Sequence, residues 1–127
     1  MLNTNGQLKI SDFACAVKLD DNKQWSSSTH PGTTSHISPE VLNDIKHNKQ
    51  RSYGLETDYW SYGTLLYFIR SRCEAFGYDE SNDVCKNILD FKPGTLEWME
   101  DDEDIQFADQ EKDLINNLLC FEYFPSF

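Results

Sequence analysis

The chain has 127 residues, 39% of them hydrophobic and 13% aromatic, which suits one domain with a modest core and is too short for two. Its formal charge of −11 is unevenly spread: residues 97–113 hold nine acids against Lys112 alone, while residues 1–96 carry twelve acids and ten bases. The acidity is therefore a local, solvated segment, and the absence of clustered lysine and arginine gives no nucleic-acid footprint.

In chain order, Asn5–Gly6 is a strong hairpin signal, and Leu8 and Ile10 alternate with Gln7, Lys9 and Ser11 as in a half-buried strand. That strand runs straight into Asp12–Phe13–Ala14. Residues 19–38 are polar and without periodicity, a loop long enough to be functional. Residues 40–45 predict a short helix, and residues 47–54 a second exposed loop. From Thr57 to about Ser71 apolar residues occur on every side, which predicts a central helix buried all round. Ser81 is placed to cap a helix with the stripe Val84, Ile88, Phe91, and Leu114, Ile115, Leu118 and Leu119 mark a last helix. The expected fold is an α-rich α+β arrangement: an N-terminal β-hairpin, a long loop, then three to four helices.

Four cysteines (Cys15, Cys73, Cys85 and Cys120) form no Cys-x-x-Cys pair, and His30, His36 and His47 lack metal-ligand spacing. The longest apolar run, residues 65–69, is far below membrane-spanning length, and no basic-then-apolar leader opens the chain. A reduced, cytoplasmic protein without a membrane segment is the expectation.

The stretches GQLKISDFA, GTTSHISPEVL, DYWSYGTLLYFI and EKDLINNLL, taken in order and at their spacing, resemble the second half of a serine/threonine protein kinase domain. The resemblance covers essentially the whole chain, residues 1–127, with an activation segment at 12–40. It implies a partial C-terminal lobe and, for the complete domain, ATP and magnesium as cofactors and a protein substrate. By position Asp12 is the aspartate that holds magnesium against the phosphates, and Phe13 the phenylalanine that packs to set the active state. A carboxylate suits that role because magnesium takes hard oxygen ligands.

The same resemblance assigns Ser38, Pro39 and Glu40 to the motif closing the activation segment, 28 positions after Asp12. Thr33 becomes the threonine that hydrogen-bonds within the catalytic loop, and Thr29 the activation-loop phosphorylation position. A phosphate there adds a charge of about −1.5 to −2. Asp58 becomes the buried aspartate opening the central helix, with Trp60, Leu65 and Ile69 as its anchors. Val41–Leu42 after the closing motif is most similar to the 3-phosphoinositide-dependent protein kinase group.

The departures are specific. Ala14 stands where the family has glycine, and an alanine forced to positive φ costs about 1 kcal/mol or more. Val17 stands where the family has lysine, with Lys18 next. No arginine follows Arg72, although the family pairs the closing-motif glutamate with a late arginine. Met1 falls just after the family's catalytic loop, so no catalytic residue is expected in the chain itself. Two readings follow: a fragment of a kinase, inactive as it stands, or a non-catalytic binding module that engages a kinase or a substrate.

Overall fold

The helix at the centre has one face built for burial and one that is not. In the computed structural model, which describes residues 1, 3–22, 24–25, 32–49, 52–77, 83–99 and 105–120, Trp60, Gly63, Thr64, Tyr67 and Ser71 are the buried positions of this helix. Their spacing of three and four is that of a single helical face. The helix, here α2, spans Glu56–Ser71; Glu56 and Asp58 in its first turn and Arg70 in its last complement the helix dipole. It ends at Arg72, which turns left-handed (φ 60°) while its N–H returns to the Phe68 carbonyl at 2.7 Å.

The other face corrects the expectation of burial all round. Tyr59, Tyr62, Leu65, Phe68 and Ile69 are exposed, Ile69 by 66%. The apolar residues are there, but this face stays largely open to solvent.

Three further helices cover the buried face or flank it. Helix α1 (Pro39–Lys46) begins with Pro39, whose missing N–H costs nothing in the first turn, and buries Val41, Leu42 and Asp44. Helix α3 (Val84–Asp90) is capped by Asp83, whose carboxylate accepts from the Lys86 N–H at 3.0 Å; the expected cap, Ser81, lies outside the described residues. Helix α4 (Asp109–Leu118) starts with Glu111 reaching back to accept from the Ala108 N–H at 2.8 Å. That is the glutamate half of a capping box, since alanine has no oxygen to complete it.

The core comprises Leu42, Trp60, Tyr67, Phe76, Ile88, Leu96, Phe107, Ile115 and Leu119. Each large apolar side chain buried there contributes about 1.5–3 kcal/mol. Trp60 stacks on Phe76 with centroids 5.5 Å apart, and Tyr67 on Phe107 at 5.4 Å. The Tyr67 hydroxyl donates to the Glu97 carbonyl at 2.8 Å, so a phenol can stand at a position otherwise closed to water. Arg70 binds α2 to α4, donating to the Gln106 carbonyl and pairing with Glu111 at 3.5 Å.

The N-terminal β-hairpin is corrected in part. Its turn forms, with the Gly6 N–H bonded to Asn3 and the Lys9 N–H to Met1, but no extended strand occurs among the described residues. Residues 8–18 are exposed, so no packing holds them in a sheet. An antiparallel bridge pairs Trp25 with Tyr53 and joins the loop of residues 19–38 to that of residues 47–54. The Tyr53 hydroxyl then donates to buried Asp44 at 3.0 Å.

Candidate functional site

A cavity of about 310 Å³ lies where the Asp12 segment, the loop before α1 and the start of α2 meet. Among its lining residues are Cys15, Thr33, His36, Ser38, Asp58 and Ser61. A larger one, about 690 Å³, opens beside the far end of α2 and touches none of the expected site residues except through that helix's neighbours, so the smaller is the candidate site.

Asp12 enters the site region exposed, in the left-handed conformation (φ 64°, ψ 72°), and is followed by a 3-10 turn at Phe13–Cys15. Aspartate tolerates that conformation better than most residues. Ala14 is not among the positive-φ residues, so the cost that positive φ would carry there does not arise; the left-handed residue is Asp12, two positions earlier. Phe13 was expected to pack and instead is 67% exposed, because no described residue covers it. Thr29 lies outside the described residues.

Thr33 is exposed and precedes a second 3-10 turn, Thr34–His36. Ser38 and Pro39 then begin α1. Ser38 is 2% exposed, yet its hydroxyl neither caps the helix nor meets another hydrogen-bond partner of normal geometry. Glu40 is half-buried, and burial lifts its carboxyl above the usual range. The nearby Ser38 hydroxyl and its own backbone pull the other way, and Glu56 and Asp44 add to the rise. No cation is paired with Glu40 among the described residues.

Asp58 corrects another expectation: it stands in the first turn of α2 as placed, but is exposed and faces the cavity. Trp60 is buried as expected, at 3% exposure. Leu65 and Ile69, expected in the core, lie on the uncovered face. The structure thus brings Thr33, Ser38 and Asp58 around one cavity with the residues after Phe13, and leaves Leu65 and Ile69 away from it.

The sequence reading missed His36. Its Nδ1 lies 2.8 Å from Thr64 Oγ1, its carbonyl accepts from Ser61 Oγ at 2.8 Å, and its Nε2 lies 3.8 Å from Glu74 Oε2. The available signal was Ser61 and Thr64, polar residues three apart in an otherwise apolar helix. Among the described residues no three His, Cys, Asp or Glu side chains converge as a metal cluster, and no helix is long and apolar enough to cross a membrane.

Comparison with known proteins adds a family. The protein kinase domain matches residues 1–124. The chain is 28% identical over 120 residues to human citron Rho-interacting kinase, covering 94% of this chain and 6% of that protein. It is 28% identical over 129 residues to the Caenorhabditis elegans serine/threonine-protein kinase mrck-1, covering 94% and 7%. It is 30% identical over 120 residues to mouse serine/threonine-protein kinase MRCK gamma, covering 94% and 8%. The chain therefore spans well under a tenth of the length of these relatives. They do not support the narrower likeness to the 3-phosphoinositide-dependent group.

Proposed function

The chain belongs to the protein kinase domain family, and on that premise we propose that it is the C-terminal-lobe part of a serine/threonine protein kinase, with the domain running through residues 1–127 and the activation segment at 12–40. The observation that carries this reading is the family match across residues 1–124, which takes in all four motif stretches in order. The names of the relatives support the serine/threonine type.

In the complete domain the reaction is transfer of the ATP γ-phosphoryl group to a Ser or Thr hydroxyl of a protein. Asp12 fits the magnesium role on its own terms: its carboxylate is exposed and makes no cap hydrogen bond that would occupy it. Magnesium needs only one or two protein carboxylates and fills the rest of its shell with phosphate and water. When bound, the ion neutralises the charge on the phosphates. Phe13, Thr33, Ser38, Pro39 and Glu40 form the segment against which substrate docks, and Thr29 is its phosphorylation position. Asp58 and Trp60 are anchors on α2, and Leu65 and Ile69 become anchors only where the complete domain covers their face. Kinase catalysis is nearly all positioning and charge stabilisation. The 127 residues alone, holding one of the groups that position ATP, are inactive on this account.

A non-catalytic binding module is the second reading, favoured by Ala14 and Val17, which stand where the family has glycine and lysine. Sequencing the transcript upstream of Met1 separates the two. An in-frame His-Arg-Asp supports the kinase; transcripts that all lack it overturn the kinase and leave the module.

A further inference from the structure

The His36 ring meets a buried hydroxyl on one edge and a buried carboxylate on the other. Thr64 is completely buried, and its hydroxyl donates to the Ser61 carbonyl at 2.9 Å. Its oxygen is then free to accept from His36 Nδ1, 2.8 Å away. On the opposite edge of the ring, Nε2 faces Glu74 Oε2 at 3.8 Å. The Glu74 side chain is only 10% exposed, and that oxygen is buried with no hydrogen-bond donor of its own.

A neutral ring carries one N–H. With the proton on Nδ1, the Thr64 bond stands but a lone pair faces the buried carboxylate. With the proton on Nε2, an N–H faces Glu74, but Thr64 must turn its hydroxyl from the Ser61 carbonyl to Nδ1. The imidazolium keeps both Thr64 contacts and sets a positive charge against the buried Glu74 carboxylate. We propose that His36 is a proton-operated clasp, which holds the Thr34–His36 turn and the loop around it against α2 and the Glu74 loop more tightly when the ring is charged.

The surroundings leave Glu74 as its partner. Asp58 on α2 and Cys15 from the Phe13–Cys15 turn line the same cavity as His36. Helix α3 packs on the same turn and carries Cys85, Lys86 and Asp90, none of which pairs with His36. Protonation of the ring is the event that switches the clasp, so the test varies pH.

Hydrogen exchange of the whole chain tests this, read as protection relative to the intrinsic rate at each pH. The reporters are the amides of His36 and Ile37, bonded to the carbonyls of Thr33 and Thr34. Protection there is expected to rise about threefold between about pH 7.5 and about pH 5.8. Glu74→Gln, which keeps size and loses charge, abolishes the rise, as does His36→Gln, while His47→Gln leaves it. A rise that survives Glu74→Gln, or wild-type protection that does not change with pH, overturns the clasp.

Discussion

Gly63 on α2 lies directly against Leu119 at the end of α4: a Cβ built on Gly63 would come within 3.0 Å of Leu119 Cδ2 and of Leu118 Cβ. Glycine within a helix ordinarily costs about 1 kcal/mol relative to alanine, so Gly63→Ala would gain that much at an open site. Here the added methyl meets a fully buried leucine, and overpacking of such a core costs about 1–3 kcal/mol. The second effect wins. Urea unfolding of Gly63→Ala is expected to show a net loss of about 1–2 kcal/mol; a gain would mean α4 shifts freely.

Ser38 is expected to reverse the usual rule for helix caps. Replacing an N-cap serine by alanine normally costs about 1 kcal/mol. The Ser38 hydroxyl makes no cap bond and, apart from the nearby Glu40 carboxyl, meets no partner of normal geometry, so its removal takes away a poorly met desolvation cost. Ser38→Ala should be neutral or stabilising by up to about 1 kcal/mol, read as the urea midpoint. A clear loss would reveal a bond to the hydroxyl.

Burial raises the Glu40 carboxyl above its unfolded value, with Glu56 and Asp44 adding to the effect. The folded chain therefore binds this proton more tightly than the unfolded chain does. Its contribution to stability is fully present below the unfolded value of about 4.3 and is lost as pH rises through the higher folded one. Glu40→Gln, a stand-in for the protonated form, should raise the urea midpoint at neutral pH and flatten that part of the acid profile. A lower midpoint at neutral pH would indicate a cation paired with Glu40.

The uncovered face of α2 carries Tyr62, Leu65 and Ile69 at 50%, 42% and 66% exposure. Apolar groups clustered in this way promote association. Sedimentation of the 127-residue chain should show oligomers at micromolar concentration, and Tyr62→Ser with Ile69→Lys should shift them toward monomer. Each substitution is at an exposed position and should change stability by no more than about 0.5 kcal/mol. A wild-type chain that remains monomeric would contradict this.

Helix positions were legible because their signals are local. Residues 40–45 and 57–71 fall within α1 and α2, and Leu114, Ile115 and Leu118 within α4. What the sequence could not convey was which of two apolar faces meets a partner: composition gave Tyr62 and Tyr67 the same weight, while packing buries only Tyr67. The Asp58 cavity likewise depends on pairings far apart in the chain. His36 and Thr64 stand 28 positions apart, as do Trp25 and Tyr53, and no periodicity links either pair. At Asp12 and Ala14 the backbone was not legible from residue types. The left-handed turn belongs to the aspartate, and the alanine after it needs no special conformation.

The measurement that bears most directly on the kinase reading is phosphoryl transfer from radiolabelled ATP to protein serine or threonine, with Asp12→Asn as control. The 127-residue chain alone should transfer nothing. Joined to the coding sequence upstream of Met1, it should label substrate in a magnesium-dependent reaction, and Asp12→Asn should lower the rate about a hundredfold or more. Full activity retained in Asp12→Asn would contradict the account.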